Sequence, residues 1–119
     1  MRKHHELRAW QDAVTLVTTI YQVTTSFPKE EVFGLSNQMR RAAVSIPSNI
    51  AEGAARNTDR EFLQFLGIAR GSLSELETQT LISRNLGYMK DVEPIFASID
   101  NLFGMMGGLI RSIQRRTNK

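Results

Sequence analysis

One stretch in the middle of the chain carries side chains whose types and spacing suit hydrogen bonding or ligand contact. At about 100° per residue, its polar members fall on a single side of a predicted helix. They are Arg41, Ser45, Ser48, Asn49, Glu52 and Arg56. Solvated helix faces usually carry Glu, Lys and Gln, whereas Ser and Asn are weak helix formers. The stripe is therefore a candidate partner-facing or buried hydrogen-bonding surface, and an ordinary exposed face is the alternative.

A second predicted helix presents polar residues that suit the same network. Ser72, Glu75 and Gln79 share one of its faces. Joined to the stripe, they predict a polar network between helices or between subunits, in which guanidinium groups pair with carboxylates and short polar groups satisfy one another. The predicted members are Arg41, Ser45, Asn49, Glu52, Arg56, Ser72 and Glu75. A ligand or nucleic-acid contact surface and a plain solvated face remain the two alternatives.

The chain lacks the side-chain combinations that catalytic and metal sites require. It contains no cysteine, which excludes a thiolate nucleophile and a Cys-bearing zinc site. Its histidines are His4 and His5, so no serine has an internal histidine base, and the Glu-x-x-His pairs of di-iron bundles are missing. We therefore expect no enzyme, no metal and no cofactor. The histidine pair is expected to be disordered, with adventitious metal binding or phosphate contact as alternatives.

Positive charge is concentrated at the two ends of the chain. The formal net charge of the chain is +3, yet the two ends hold seven basic residues against Glu6. The basic residues are Arg2, Lys3, Arg8, Arg111, Arg115, Arg116 and Lys119. If the fold brings the ends together, these side chains form one patch that contacts nucleic-acid phosphates without reading the base sequence.

Apolar periodicity predicts four helices joined by short turns, over about residues 5–25, 34–55, 58–86 and 91–115. Thr58 followed by Glu61 is a capping signal for the third helix, and Gly87 is the predicted cap at its end. Short turns between long helices favour a single domain over residues 1–119, an all-α antiparallel up-down-up-down four-helix bundle. This topology places both ends of the chain at the same end of the bundle.

Proline and glycine residues mark two special positions in these helices. Pro47 lies inside the second helix, where it loses a hydrogen bond and presses on the carbonyl of Ala43, so a kink or break is predicted there. Gly104, Gly107 and Gly108 weaken the fourth helix unless another helix approaches closely. That neighbour lies either within the subunit or across an interface.

The helix pattern predicts which of several apolar side chains lie in the core and which face a partner. Ile68 and Ile82 fall outside the core arc of the third helix, which favours a subunit contact over scattered surface positions. Trp10 and Tyr21 lie on the apolar face of the first helix, so core packing is predicted rather than base stacking.

No apolar run reaches the roughly 20 residues of a membrane helix and no signal-peptide core follows the start, so we expect a soluble cytoplasmic protein without membrane contact.

Specific motifs connect the chain with a known family. The longest is Gly34-Leu35-x-x-Gln38-x-Arg40-Arg41-Ala42-Ala43-Val44-Ser45-Ile46-Pro47-Ser48-Asn49-Ile50-Ala51-Glu52-Gly53. Others are Leu7-x-x-Trp10-Gln11, Phe27-Pro28, Glu61-Phe62, Gly71-Ser72-Leu73-x-Glu75-Leu76-Glu77-Thr78 and Leu86-Gly87-Tyr88. Over about residues 6–90 the chain resembles the bacterial four-helix-bundle family of proteins encoded by intervening sequences in 23S ribosomal RNA genes. Beyond residue 90 only the apolar helical pattern is comparable.

The resemblance implies a left-handed antiparallel bundle that assembles as a homopentamer. A related branch is the accessory protein of diversity-generating retroelements, a pentameric ring that binds nucleic acid and its reverse transcriptase. The resemblance brings no biochemical activity with it, and the basic residues at the chain ends lie outside its motifs. Nucleic-acid binding therefore rests on the charges of this sequence alone.

Two functional hypotheses follow from these observations. In the first, the protein is a non-enzymatic, ring-forming accessory factor that binds RNA or DNA non-specifically through the basic end of the bundle. In the second, it is a protein–protein interaction scaffold without nucleic-acid binding, and the basic residues serve solubility.

Overall fold

In the computed structural model, which describes residues 2–117, four α-helices pack against one another as a bundle. They are α1 (Arg8–Thr24), α2 (Leu35–Ala54), α3 (Asp59–Asn85) and α4 (Glu93–Thr117), and short 3₁₀ turns span Lys3–Glu6 and Lys29–Glu31. No β-strand occurs in this range, and the bundle measures 50 × 22 × 22 Å. The prediction of an all-α four-helix bundle is confirmed.

The helices form a closed ring of neighbours. α2 packs on α1 and α3, and α4 packs on α3 and α1. Near one end of the bundle, Ser83 of α3 donates a hydrogen bond to the sulfur of Met39 in α2. At the other end, Arg116 of α4 donates to the carboxylate of Asp59, the first residue of α3. The antiparallel order of the helices stays a prediction.

The interior is filled by apolar side chains that recur at three- and four-residue spacing on each helix. The largest fully buried ones are Ile20, Met39, Ile46, Ile50, Leu66, Leu73, Leu76, Ile99, Leu102, Met106 and Ile113. Alanines such as Ala13, Ala43 and Ala69 are fully buried among them and let the helices approach. No helix within residues 2–117 is long and apolar enough to cross a membrane.

Both ends of α3 are capped at the residues that the sequence predicts. The Thr58 hydroxyl accepts a hydrogen bond from the Glu61 amide at 3.2 Å, which confirms the predicted cap. At the other end Gly87 adopts a φ of 79°, and the Tyr88 amide donates to the Ser83 carbonyl at 2.9 Å. This is the Schellman arrangement, which needs a residue without a side chain at the left-handed position.

The start of the chain differs from its prediction. α1 begins only after the Lys3–Glu6 turn, and the rings of His4 and His5 pack on Trp10 with centroid distances of 5.0 and 5.4 Å. The histidines therefore have a defined place, in contrast to the expected disorder. Partial burial, together with the charges of His5 and Arg2, lowers the pKa of His4 below its ordinary value because these surroundings disfavour the protonated ring.

Tyr21 was predicted in the core, and this prediction is wrong. Its side chain is 43% exposed, and the guanidinium carbon of Arg40 lies 4.6 Å above the ring centroid. Trp10 is half-buried and packs against the core, as predicted. Tyr21 lies at the edge of the apolar arc of α1, where an arginine from α2 rather than an apolar neighbour covers it.

α2 continues through Pro47 without interruption, so the predicted break does not occur. Pro47 is buried, and a bend at this position stays a prediction. Gly53, close to the end of α2, approaches α3 more closely than any side chain allows. A Cβ placed there would lie 2.7 Å from the Cβ of Phe65 and 2.9 Å from the ring of Phe62.

The glycines of α4 behave differently from Gly53. A Cβ on Gly104 would meet no atom of the described residues within 4 Å, and one on Gly107 or Gly108 would meet only the guanidinium of Arg111. The predicted close approach of a second helix within the subunit is therefore wrong. The alternative, an approach across an interface, stays a prediction.

The contact at Gly53 predicts opposite effects for two alanine variants. Gly53→Ala should lower the free energy of unfolding by about 1–3 kcal/mol, because the new methyl group overlaps Phe65. Gly71→Ala in α3 is the control, since its methyl group meets nothing and removes a flexible residue from a helix. It should raise stability by up to about 1 kcal/mol. Urea unfolding followed by circular dichroism compares them, and an unaffected Gly53→Ala protein would contradict this packing.

The Arg116–Asp59 pair predicts an acid-sensitive contribution to stability. Two hydrogen bonds from Arg116, at 2.9 and 2.8 Å, lower the pKa of Asp59 below its ordinary value of 3.8. The stabilisation by this ion pair is therefore fully present above the pKa that Asp59 has in the unfolded chain. It is lost as pH falls through the lower pKa that Asp59 has in the folded protein. Asp59→Asn should flatten this acid loss in urea midpoints measured from neutral to acid pH. Asp100→Asn, an exposed α4 carboxylate, should leave it unchanged.

Candidate nucleic-acid interface

The centre of the predicted polar stripe forms a hydrogen-bonded cluster between α2 and α3. Ser72 donates to the Ser45 hydroxyl at 2.9 Å, and the Asn49 amide donates to the same hydroxyl at 2.9 Å and to the Ser45 carbonyl at 2.7 Å. All three side chains are half-buried. The structure thus brings together these three residues of the predicted network, and the Ser72–Ser45 hydrogen bond links α3 to α2.

A second group lies at the end of α2. Arg56 forms an ion pair with Glu52 at 2.9 Å and lies 3.9 Å from the carboxylate of Glu61. Its guanidinium carbon also lies 4.8 Å above the ring of Phe65. Glu52 and Arg56 are exposed, so this group is a surface ion cluster at one end of the bundle. Within residues 2–117 no hydrogen bond or ion pair joins it to the serine–asparagine cluster in the middle of α2.

The remaining members of the predicted network stand apart. Arg41 and Glu75 are exposed, and no ion pair or hydrogen bond joins either side chain to another of residues 2–117. Gln79 is buried, and its Oε1 atom has no hydrogen-bond partner in the described part of the chain. Among residues 2–117 of one chain the predicted members thus form two separate groups. A network between subunits and any binding role for these residues stay predictions.

The two ends of the chain meet at one end of the bundle, as predicted. Lys3 and Arg116 line the same cleft of about 280 Å³, which also reaches Arg56 and Asp59 at the turn between α2 and α3. Arg8 borders an adjoining apolar cleft between the start of α1 and α4. The end of the bundle that holds these residues is called the basic end below.

Carboxylates neutralise only part of the charge at the basic end. Arg116 forms an ion pair with Asp59, which raises the pKa of Arg116 and neutralises its charge within the subunit. Five other predicted contact residues are exposed and lie in no ion pair with another described residue. They are Arg2, Lys3, Arg8, Arg111 and Arg115. The remaining predicted contact, Lys119, lies outside the described residues.

Sequence reasoning assigned Arg56 to the polar network and missed its place at the basic end. The signal was present, since Arg56 follows the end of the second helix, and a four-helix bundle puts that turn beside the ends of the chain. A second omission is Arg40, which lies beside the stripe and faces Tyr21 in α1. The available signal was that Arg40 directly precedes Arg41, the first residue of the stripe.

The basic end offers exposed guanidinium and ammonium groups that donate hydrogen bonds to phosphate oxygens. Hydrogen bonds to phosphate oxygens carry no information about the base sequence. Within residues 2–117 no three His, Asp or Glu side chains are grouped as ligands of a metal ion.

Comparison with known proteins supports the assignment of the chain. The family model described as 23S rRNA-intervening sequence protein matches residues 5–108, which covers all of α1, α2 and α3 and the larger part of α4. None of the curated proteins compared with the chain matches it. The family is not known as enzymatic. Together with the helical bundle, the extent of the match shows that the chain belongs to the family of 23S rRNA intervening sequence proteins.

Proposed function

We propose that this protein is a cytoplasmic, non-enzymatic accessory protein that forms a homopentameric ring and binds RNA or DNA non-specifically through its basic end. The observation that carries the proposal is the convergence of the chain ends. Lys3 shares a cleft with Arg116 of α4, Arg2 and Arg8 line adjoining clefts, and Arg111 and Arg115 belong to the last two turns of α4. None of these five unpaired candidates, Arg2, Lys3, Arg8, Arg111 and Arg115, lies in an ion pair with another described residue.

The physical basis is the release of counterions from the nucleic-acid backbone. Each phosphate that a lysine or arginine neutralises releases condensed cations, so affinity falls steeply with salt. A ring would repeat the basic end once per subunit. Neighbouring patches then raise the effective concentration of phosphates at each site, and several weak contacts together bind tightly.

Exposed apolar and glycine surfaces support the ring. Ile68 and Ile82 on α3 are 53% and 43% exposed, in keeping with their predicted place outside the core arc. On α4, the faces of Gly104 and Gly108 are open enough for another helix to approach. Isolated exposed apolar residues are common, but a line of them on one helix favours a subunit contact.

A second candidate function, the protein-interaction scaffold, is favoured by the opposite end of the bundle. Phe33 and Val32, in the connection between α1 and α2, are 93% and 54% exposed, and Leu86 at the end of α3 is 54% exposed. The Tyr88 hydroxyl donates to Glu31 at 2.9 Å and joins these two connections. An aromatic side chain held so far out of the core suits contact with an apolar surface of another protein.

Charge removal at the basic end separates the two candidates. Arg111→Gln with Arg115→Gln should weaken binding of a labelled single-stranded RNA and of a DNA duplex at least about tenfold at low salt. The slope of log affinity against log salt should fall by about two, because two phosphate contacts are lost. Fluorescence anisotropy at several salt concentrations measures both quantities.

The matched control removes equal charge elsewhere. Arg70→Gln with Arg84→Gln takes two exposed arginines from α3, away from the basic end, and should leave affinity within about twofold. Equal losses in the two double variants would mean that net charge, not the basic end, sets the affinity. A parent protein that binds neither probe at low salt would leave the scaffold as the function.

The ring itself predicts a particle mass. Light scattering should give a mass near five times that of the 13.5 kDa chain. Ile68→Asp with Ile82→Asp should reduce that mass, because two carboxylates cannot be buried in an apolar subunit contact without a partner charge. Phe33→Asp, at an apolar side chain in a connection that is more exposed than either isoleucine, is the control and should preserve the mass. A monomeric parent protein would contradict the ring.

A further inference from the structure

A groove on the side of the bundle combines two arginines with an exposed aromatic residue. It lies between α1 and α2 and has a volume of about 460 Å³. Its lining residues are Tyr21, Asn37, Arg40, Arg41, Val44 and Ser45. None of them is acidic, whereas the cleft at the basic end includes Asp59, which already holds Arg116. The groove is therefore an uncompensated positive site.

Arg40 is held in a fixed orientation. Its Nε atom donates to the Thr24 hydroxyl at 2.8 Å, and its Nη2 atom donates to the Tyr21 carbonyl at 3.2 Å. The guanidinium also stacks over the ring of Tyr21, with 4.6 Å between its carbon and the ring centroid. A guanidinium has five N–H donors, so these contacts leave donors available for a ligand. Little side-chain entropy remains to be lost when one binds.

Arg41 supplies the second positive charge. Its side chain is exposed and forms no hydrogen bond or ion pair with another of residues 2–117. Asn37 is exposed one helical turn earlier on the same face of α2 and adds an amide donor to the groove. The groove thus presents several N–H donors and a partly exposed tyrosine at one place.

We propose that this groove binds the phosphate of a nucleotide. Arg40 and Arg41 donate to the phosphate oxygens, because paired guanidinium groups match the charge and the acceptor geometry of phosphate. The base packs against the exposed part of the Tyr21–Arg40 stack, as aromatic rings and guanidinium planes accept bases in single strands. The nucleotide is either a free mononucleotide or one unit of a single-stranded RNA.

The groove is a separate site from the basic end. Arg41 lies about 20 Å along α2 from Ala54, which lines the cleft at the basic end, at about 1.5 Å of rise per residue. One phosphate contact cannot serve both places, and the proposed function at the basic end does not require the groove. A carboxylate from a second copy of the chain is a competing occupant, and the particle mass of the Arg41→Gln protein distinguishes it from a nucleotide.

Removing the Arg41 charge tests the proposal. Arg41→Gln should weaken binding of a fluorescein-labelled oligouridylate about tenfold, because a charge-assisted hydrogen bond to phosphate is lost. Tyr21→Leu should weaken it severalfold through loss of stacking. Arg70→Gln removes the same charge from the exposed face of α3 and should change the affinity less than about twofold. Equal affinities of the Arg41 and Arg70 variants would overturn the proposal.

NMR of the arginine side-chain N–H groups distinguishes the two sources of the nucleotide. If uridine monophosphate shifts the Arg40 and Arg41 signals of the parent protein, the free nucleotide is sufficient. If only the oligouridylate shifts them, the ligand is a nucleotide within a strand. Absence of shifts with both probes overturns the proposal, as does an Arg41→Gln protein whose particle mass drops, since a second copy would then cover the groove.

These outcomes are distinguishable from a failure at the basic end. Loss of RNA binding in the Arg111 and Arg115 variants together with full binding by Arg41→Gln would leave the proposed function and remove the groove. The reverse pattern would keep the groove and remove the basic end.

Discussion

Small side chains let α2 and α3 approach closely at several points, and this close approach fixes the register of the two helices. Ala43 is fully buried between core residues, the Ser45 and Ser72 hydroxyls share a hydrogen bond, and Gly53 leaves room for Phe65. A longer side chain at these points would separate the helices. Because the register is fixed, the turn after α2 lies beside the two ends of the chain. The basic end exists only because this turn and both chain ends meet there.

The fold sorts its charges according to whether an acidic neighbour is available. At the basic end Asp59 holds Arg116, and Glu52 holds Arg56, so the paired arginines serve the structure. The arginines without such neighbours remain available to an external anion. Arg41 belongs to the second class although it lies far from the chain ends. Net charge alone therefore describes the protein poorly. An arginine at one position forms an internal ion pair, whereas an arginine at another position is available to an external anion.

Features that depend on one helix could be predicted from the sequence. The helix periods, the Thr58 cap and the glycine at the end of α3 are local, and the structure has them where the sequence places them. Individual side-chain contacts between two helices could not. The position of Tyr21 depended on Arg40 from α2, and the division of the polar stripe depended on which α3 side chains face it. A Cβ on Gly104 would meet no described atom within 4 Å, and this too depends on where the neighbouring helices lie rather than on the sequence of α4.

The packing of Trp10 on the two histidines has a spectroscopic consequence. The chain contains a single tryptophan, and its ring touches the turn that carries Arg2 and Lys3. Indole emission therefore arises from one known position beside the basic end, and no other residue contributes to it. Any ligand that moves this turn changes the distance between the imidazole rings and the indole. The protein thus carries an intrinsic fluorescent reporter of events at the meeting point of its two chain ends.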